Sequence, residues 1–184
     1  MYTLARICWD DTVVDDSFIG LDKALGEICE LPMIAHSWYN RKNQEGYTMI
    51  GLIVTGHGTF ASGLYSAVKL LAGKPEHFEV VDYVQEDTTD DLSDKLKEKV
   101  EILKDCTDGI VIFADIESGA PFREAMELAN DLKGTCRIEV IGGVNLGMVM
   151  ETNISRSYLK DIDAFTDMAM EEGRKQIQHG AHEE

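Results

Sequence analysis

The chain has 184 residues, of which 44% are hydrophobic, enough for one domain with a real core and an appendage. Acidic residues outnumber basic ones 34 to 17, for a formal net charge of −17. That balance excludes a nucleic-acid binder or a protein held to an anionic membrane surface, which need a basic footprint, but not the binding of one phosphate.

The amino terminus, MYTLARICWDDTVVDD, lacks the basic region and long apolar stretch of a signal peptide. No apolar run reaches the roughly 18 residues of a membrane helix, so no direct membrane insertion is expected. Cys8, Cys29, Cys106 and Cys136 are widely spaced and form no CxxC pair, which argues against a zinc ribbon and suits a reduced, cytoplasmic protein. Neither a metal nor a cofactor is expected. Residues 1–48 hold one helix-like stretch, LDKALGEICEL (21–31), and no recognisable chemistry. They read either as an accessory helical segment or as sequence upstream of the native start. Glu45-Gly46 must be encoded by a purine-rich stretch shortly before the Met49 codon, as a ribosome-binding site would be. Met49 is accordingly the expected start, and the domain is expected to span 49–184.

From Met49 the pattern becomes regular. MIGLIV (49–54) is a short apolar run, followed by a helix over 60–73 with Phe60, Leu64, Val68 and Leu71 on one stripe and Gly73 as its stop. FEVVDY (78–83) has strand composition. Thr88 and Asp91 form a capping-box pattern ahead of Leu92, Leu96, Val100 and Leu103 at helical spacing. GIVIFA (109–114) is a second continuous apolar run. Pro121 opens a further helix with Phe122, Ala125, Met126, Ala129 and Leu132 inward. RIEVIGG (137–143) is a fourth strand, and helices at 146–153 and 159–178 close the pattern.

Strands alternating with helices predict a doubly wound α/β fold with a mainly parallel sheet and helices on both faces. Strands buried on both faces read as unbroken apolar runs. MIGLIV and GIVIFA are therefore expected in the centre, and the charged FEVVDY and RIEVIG at the edges. Right-handed crossovers then give the order 2-1-3-4. The winding reverses between the first and third strands, and ligands of such sheets sit at the carboxyl ends of the strands there.

The first strand ends into Thr55-Gly56-His57-Gly58-Thr59, and the third into Asp115-Ile116-Glu117-Ser118-Gly119-Ala120-Pro121. A histidine and an aspartate thus converge on one crevice. Both loops enter helices whose first amides favour an anion. Gly56 and Gly58 let a phosphate or a partner's backbone approach without a Cβ in the way. Asp115 can hold one ring nitrogen of His57 and leave the other as a nucleophile. Covalent phosphoryl transfer through the imidazole follows. The competing reading is a tight turn carrying a solvated imidazole. His77 reads as a turn residue, the HGAHEE tail as a loose end, and Lys95, Lys97, Lys99 and Lys104 as a solvated helix face.

GLIVTGHGTFASGL, DIESGAPFREA and GGVNLGMVMET together resemble the enzyme IIA component of the mannose-class sugar phosphotransferase system, from about Met49 to Gln178. The resemblance implies a cytoplasmic phosphotransferase subunit. His57 matches the family's phosphoryl-accepting histidine and Asp115 the carboxylate that orients it. Gly56, Gly58, Thr59, Ser118 and Gly119 fall in the two phosphate loops. The implied partners are the phosphocarrier protein HPr as donor and a IIB component as acceptor. A homodimer with an exchanged C-terminal strand is also implied. Two positions depart from the family. Ala120 stands where a hydroxyl usually precedes proline, a loss worth about 1.5–3 kcal/mol of phosphate contact unless Ser118 substitutes. Gly147 replaces a common proline and should loosen the start of its helix. A regulatory phosphorylation module and a dihydroxyacetone-type phosphotransfer subunit are the alternatives. The family leaves the choice of sugar to the IIB and membrane components, and the sequence leans towards amino sugars.

Overall fold

The computed structural model describes residues 49–105 and 107–180; the expected helix at 21–31, the Met49 start and Cys106 concern residues outside these. The strands are β1 (Met49–His57), β2 (Phe78–Tyr83), β3 (Thr107–Ala114) and β4 (Ile138–Gly142). The helices are α1 (Phe60–Ala72), α2 (Thr89–Leu103), α3 (Ala120–Asp131), α4 (Leu146–Ser155) and α5 (Ile162–Lys175). All strand pairs are parallel and the order is β2-β1-β3-β4, as the apolar runs required.

The two faces of the sheet carry separate cores. Ile50, Leu52 and Val54 of β1 and Val111 and Phe113 of β3 meet α1, α4 and α5. Ile53, Ile110 and Ile112 point the other way, onto Leu92, Leu96 and Val100 of α2 and Ala125 and Leu128 of α3. The two-residue alternation of a strand feeds both cores from the same segments, which is why β1 and β3 tolerate almost no polar residue. β2 and β4 each bury only two residues and keep Glu79, Asp82 and Glu139 outward or at their ends.

Local signals hold the helices in place. Thr88 and Asp91 close a reciprocal capping box at α2, and Asn145 and Asp161 cap α4 and α5 through the amides of Met148 and Ala164. The buried Arg156, just past α4, donates to the carbonyls of Ile50 (3.2 Å), His77 (3.1 Å) and Glu76 and to Asn153 Oδ1 (2.7 Å). It thereby ties the amino end of β1 to the turn before β2. Hydrogen bonds to a charged group contribute about 1.5–3 kcal/mol each, which offsets part of the cost of burying the arginine. His77 is part of this staple as well as a turn residue, with φ of 46° and a carbonyl that also accepts from the Leu52 amide.

One detail differs from the sequence reading. β1 continues three residues past the apolar run, because Thr55, Gly56 and His57 still pair with Val81, Asp82 and Tyr83 of β2. At Gly147 an added Cβ would lie 2.2 Å from Cδ of the exposed Gln176 side chain. The sheet has four strands among the described residues. No helix among the described residues is long and apolar enough to cross a membrane.

Candidate functional site

His57 and Asp115 meet at the carboxyl ends of the two central strands. Asp115 Oδ2 lies 2.7 Å from His57 Nδ1 and also accepts the His57 amide at 2.9 Å. Its Oδ1 accepts the Ile116 amide at 2.9 Å, and the Asp115 amide donates to the Thr55 carbonyl at 3.2 Å. Burial pushes the Asp115 carboxyl up, but the donors from His57 and Ile116 outweigh it and hold the group below its ordinary value. The carboxylate is therefore ionised at neutral pH and only accepts. It fixes the ring proton on Nδ1 and leaves Nε2 with its lone pair. The histidine side chain is 45% exposed and the aspartate 12%, so the ring is reachable while its partner is shielded.

Gly56 and Gly119 lie against specific side chains, and Gly58 turns the chain. At Gly56 an added Cβ would fall 2.6 Å from the Phe60 ring and 3.0 Å from Asp115 Cβ, so this glycine lets the aspartate close on the histidine. Gly58 turns the chain, with φ of 61°, and donates its amide to the Tyr83 carbonyl at 2.8 Å. Gly119 is buried, and a Cβ there would stand 2.6 Å from His57 Cε1. The imidazole rests against the bare backbone of the Asp115 loop.

The two helix amino termini are not equivalent. Asp82, at the end of β2, accepts the Ser62 amide at 3.0 Å, so α1 already holds an anion in its first turn. Thr59 occupies the N-cap of α1 without a side-chain bond to it. The N-cap of α3 is Gly119, and among the described residues α3 is the helix whose first amides receive no side-chain acceptor. The open amides of α3 follow Gly119, against which His57 Cε1 rests. Ser118 is exposed in the same loop, and Ala120 packs against the core beneath it.

Tyr83 escaped the sequence reading. Its ring lies edge-on to the imidazole, with centroids 5.8 Å apart and planes at 63°. The signal was available: Tyr83 is the last residue of the strand beside β1, and parallel neighbours end at the same place.

Several known proteins resemble this chain. The family model described as PTS system fructose IIA component matches residues 51–170. The mannose-specific EIIAB component of Escherichia coli K12 is 29% identical over 128 residues, which are 70% of this chain and 38% of that protein. The chain thus spans well under half the length of that relative. The sorbose-specific EIIA component of Lacticaseibacillus casei is 27% identical over 104 residues, 56% of this chain and 72% of that one. The crystal structure of an EIIA phosphotransferase component from Streptococcus agalactiae superposes with a TM-score of 0.66 at 27% identity, covering 71% of this chain and 97% of its own.

Proposed function

The chain belongs to the PTS fructose IIA component family, and from that premise we propose that it carries phosphoryl groups in sugar uptake, with His57 Nε2 as the acceptor. It takes the group from phospho-HPr and passes it to a IIB component. The observation that carries this reading is the 2.7 Å contact of Asp115 with Nδ1, which leaves one nitrogen, Nε2, free to react. In the forward step the Nε2 lone pair forms a bond to phosphorus. The donor's N–P bond breaks, and its electron pair stays on the donor nitrogen. The Nδ1 proton remains between the imidazole and Asp115, whose negative charge stabilises the positive charge growing on the ring. The phosphoryl oxygens lie towards the open amides of α3, with Gly119 and Ser118 in the loop and Gly56, Gly58 and Thr59 shaping the opposite side.

Incubation with enzyme I, HPr and phosphoenolpyruvate should place one acid-labile, alkali-stable phosphoryl group per chain. Peptide mapping and phosphorus NMR are expected to assign it to His57 Nε2. A group found on another residue, or on Nδ1, overturns the assignment.

We propose that the phosphocarrier domain spans 49–184: every strand among the described residues and every candidate site residue lies from Met49 onward. Deleting residues 1–48 is expected to leave the transfer rate and thermal midpoint nearly unchanged. A fall of about ten degrees, the scale of ~3 kcal/mol in a domain of this size, would instead show that the segment is integral.

A homodimer with an exchanged strand also fits the edge of the sheet. Among the described residues β4 pairs with β3 alone, and cavities of about 320 and 560 Å³ flank it, with Val140 lining both. A strand following α5 of a second copy would cover this edge, which otherwise invites non-specific pairing. Light scattering should give the mass of two chains; a monomer at micromolar concentration would remove the exchange.

A further inference from the structure

The imidazole of His57 has more neighbours than its hydrogen bonds require. Asp115 fixes Nδ1, and Gly119 lies beneath Cε1. Neither contact prevents the ring from tilting about its Cβ–Cγ bond away from the loop, on the side facing β2. That side is occupied by Tyr83. The register pairs His57 with Tyr83 directly, and the Gly58 amide bonds to the Tyr83 carbonyl at 2.8 Å, so the two residues are fixed to one another through the backbone. The tyrosine ring is half-buried against the core of α2 and α3 and cannot swing aside freely. It meets the imidazole at 5.8 Å and 63°, an edge-to-face arrangement.

We propose that Tyr83 is a positioning residue for phosphoryl transfer: its aromatic ring sets the rotation of the His57 imidazole and so keeps Nδ1 on Asp115 and Nε2 towards α3. The proposal rests on the reading of His57 as phosphoryl acceptor, but its geometry does not depend on which protein supplies the group. A ring turned over about Cβ–Cγ would put Cδ2 where Nδ1 now meets the carboxylate. The tautomer would no longer be fixed, and the reactive nitrogen would no longer be defined. Tyr83 does this through its ring, so the hydroxyl is dispensable.

The test uses the full chain labelled with nitrogen-15 histidine. Long-range proton–nitrogen spectra report the His57 tautomer, and uptake from phospho-HPr reports the rate. Wild type and Tyr83→Phe are expected to show a single Nδ1–H tautomer and equal rates. Tyr83→Leu, which keeps apolar bulk and loses the ring, is expected to show mixed tautomers and uptake slowed about fivefold to tenfold, the scale of one aromatic pair. Its thermal midpoint should stay close to wild type. Should the leucine protein not fold, Tyr83→Met is read in the same way. Wild-type spectra and rate in the leucine or methionine protein overturn the proposal, as does a phenylalanine protein as defective as the leucine one. If wild type itself takes up no phosphoryl group, the reading of His57 fails, and the tautomer spectra still decide the role of Tyr83.

Discussion

Gly119→Ala is expected to slow phosphoryl uptake by His57 about a hundredfold while leaving the fold intact. The backbone at Gly119 has φ of −79° and ψ of 165°, a conformation that alanine adopts without strain. The added methyl group has nowhere to go. Its carbon would stand 2.6 Å from His57 Cε1 and 3.0 Å from Ile116 Cγ1. Ile116 is half-exposed and can turn outward, and so can the imidazole. The fold therefore relaxes at small cost, but the relaxation moves the reacting ring by about an ångström, and misplacements of that size remove about two orders of magnitude in rate. A displaced ring also stretches the bond to Asp115, a charge-assisted contact worth about 1.5–3 kcal/mol. Stopped-flow transfer from phospho-HPr, with thermal melting as the control for folding, checks this. A wild-type rate in Gly119→Ala would mean that the ring does not rest on the loop in the reactive state.

This glycine marks where sequence reading stops. The sheet order was legible because hydrophobic burial imposes it. An unbroken apolar run such as GIVIFA has only one place in a doubly wound sheet, and its neighbours follow from the handedness of the connections. The convergence of His57 and Asp115 was legible for the same reason, since the ends of adjacent central strands lie side by side. What each glycine excludes depends on three-dimensional neighbours and was not. Gly56 and Gly147 read as permissive positions and Gly119 as a phosphate-loop residue, and all three lie against a specific side chain, of Phe60, Gln176 and His57. The cost of an absent Cβ is set by packing, which carries no periodic signature in the chain.

Tyr83 and Asp82 show a second limit. Both sit at the end of an edge strand that reads as a partly solvated FEVVDY. Their importance comes from pairing with His57 and Gly56, and register is not written in either strand alone. The two helix amino termini looked alike in sequence for a related reason. Only the placement of Asp82 at the Ser62 amide shows that α1 is already occupied by a carboxylate and that α3 is the open one.

Asp115→Asn is expected to slow transfer at least about tenfold, equivalent to roughly 1.4 kcal/mol of barrier, and to cost a few degrees of thermal midpoint. The substitution keeps the shape of the side chain, and the present geometry shows why shape does not suffice. Oδ2 accepts two donors from His57, the amide and Nδ1, while Oδ1 accepts the Ile116 amide. An asparagine has one oxygen and one NH2 group for these two positions. If its oxygen faces His57, the NH2 group confronts the Ile116 N–H, and that amide loses its side-chain acceptor. If its oxygen faces Ile116, the NH2 group confronts the His57 amide and donates to Nδ1. That drives the ring proton to Nε2 and removes the lone pair that must attack phosphorus. Either way the negative charge that stabilises the developing imidazolium is gone. A purely structural role as the cap of α3 would make asparagine nearly silent, since it is a good capping residue. That role belongs to Gly119, however, which occupies the N-cap position. The measurement is the rate of phosphoryl passage from phospho-HPr to His57 in wild type and Asp115→Asn, with circular dichroism confirming the fold. Equal rates in the two proteins would sever Asp115 from the chemistry and leave the convergence of the two central strands without a function.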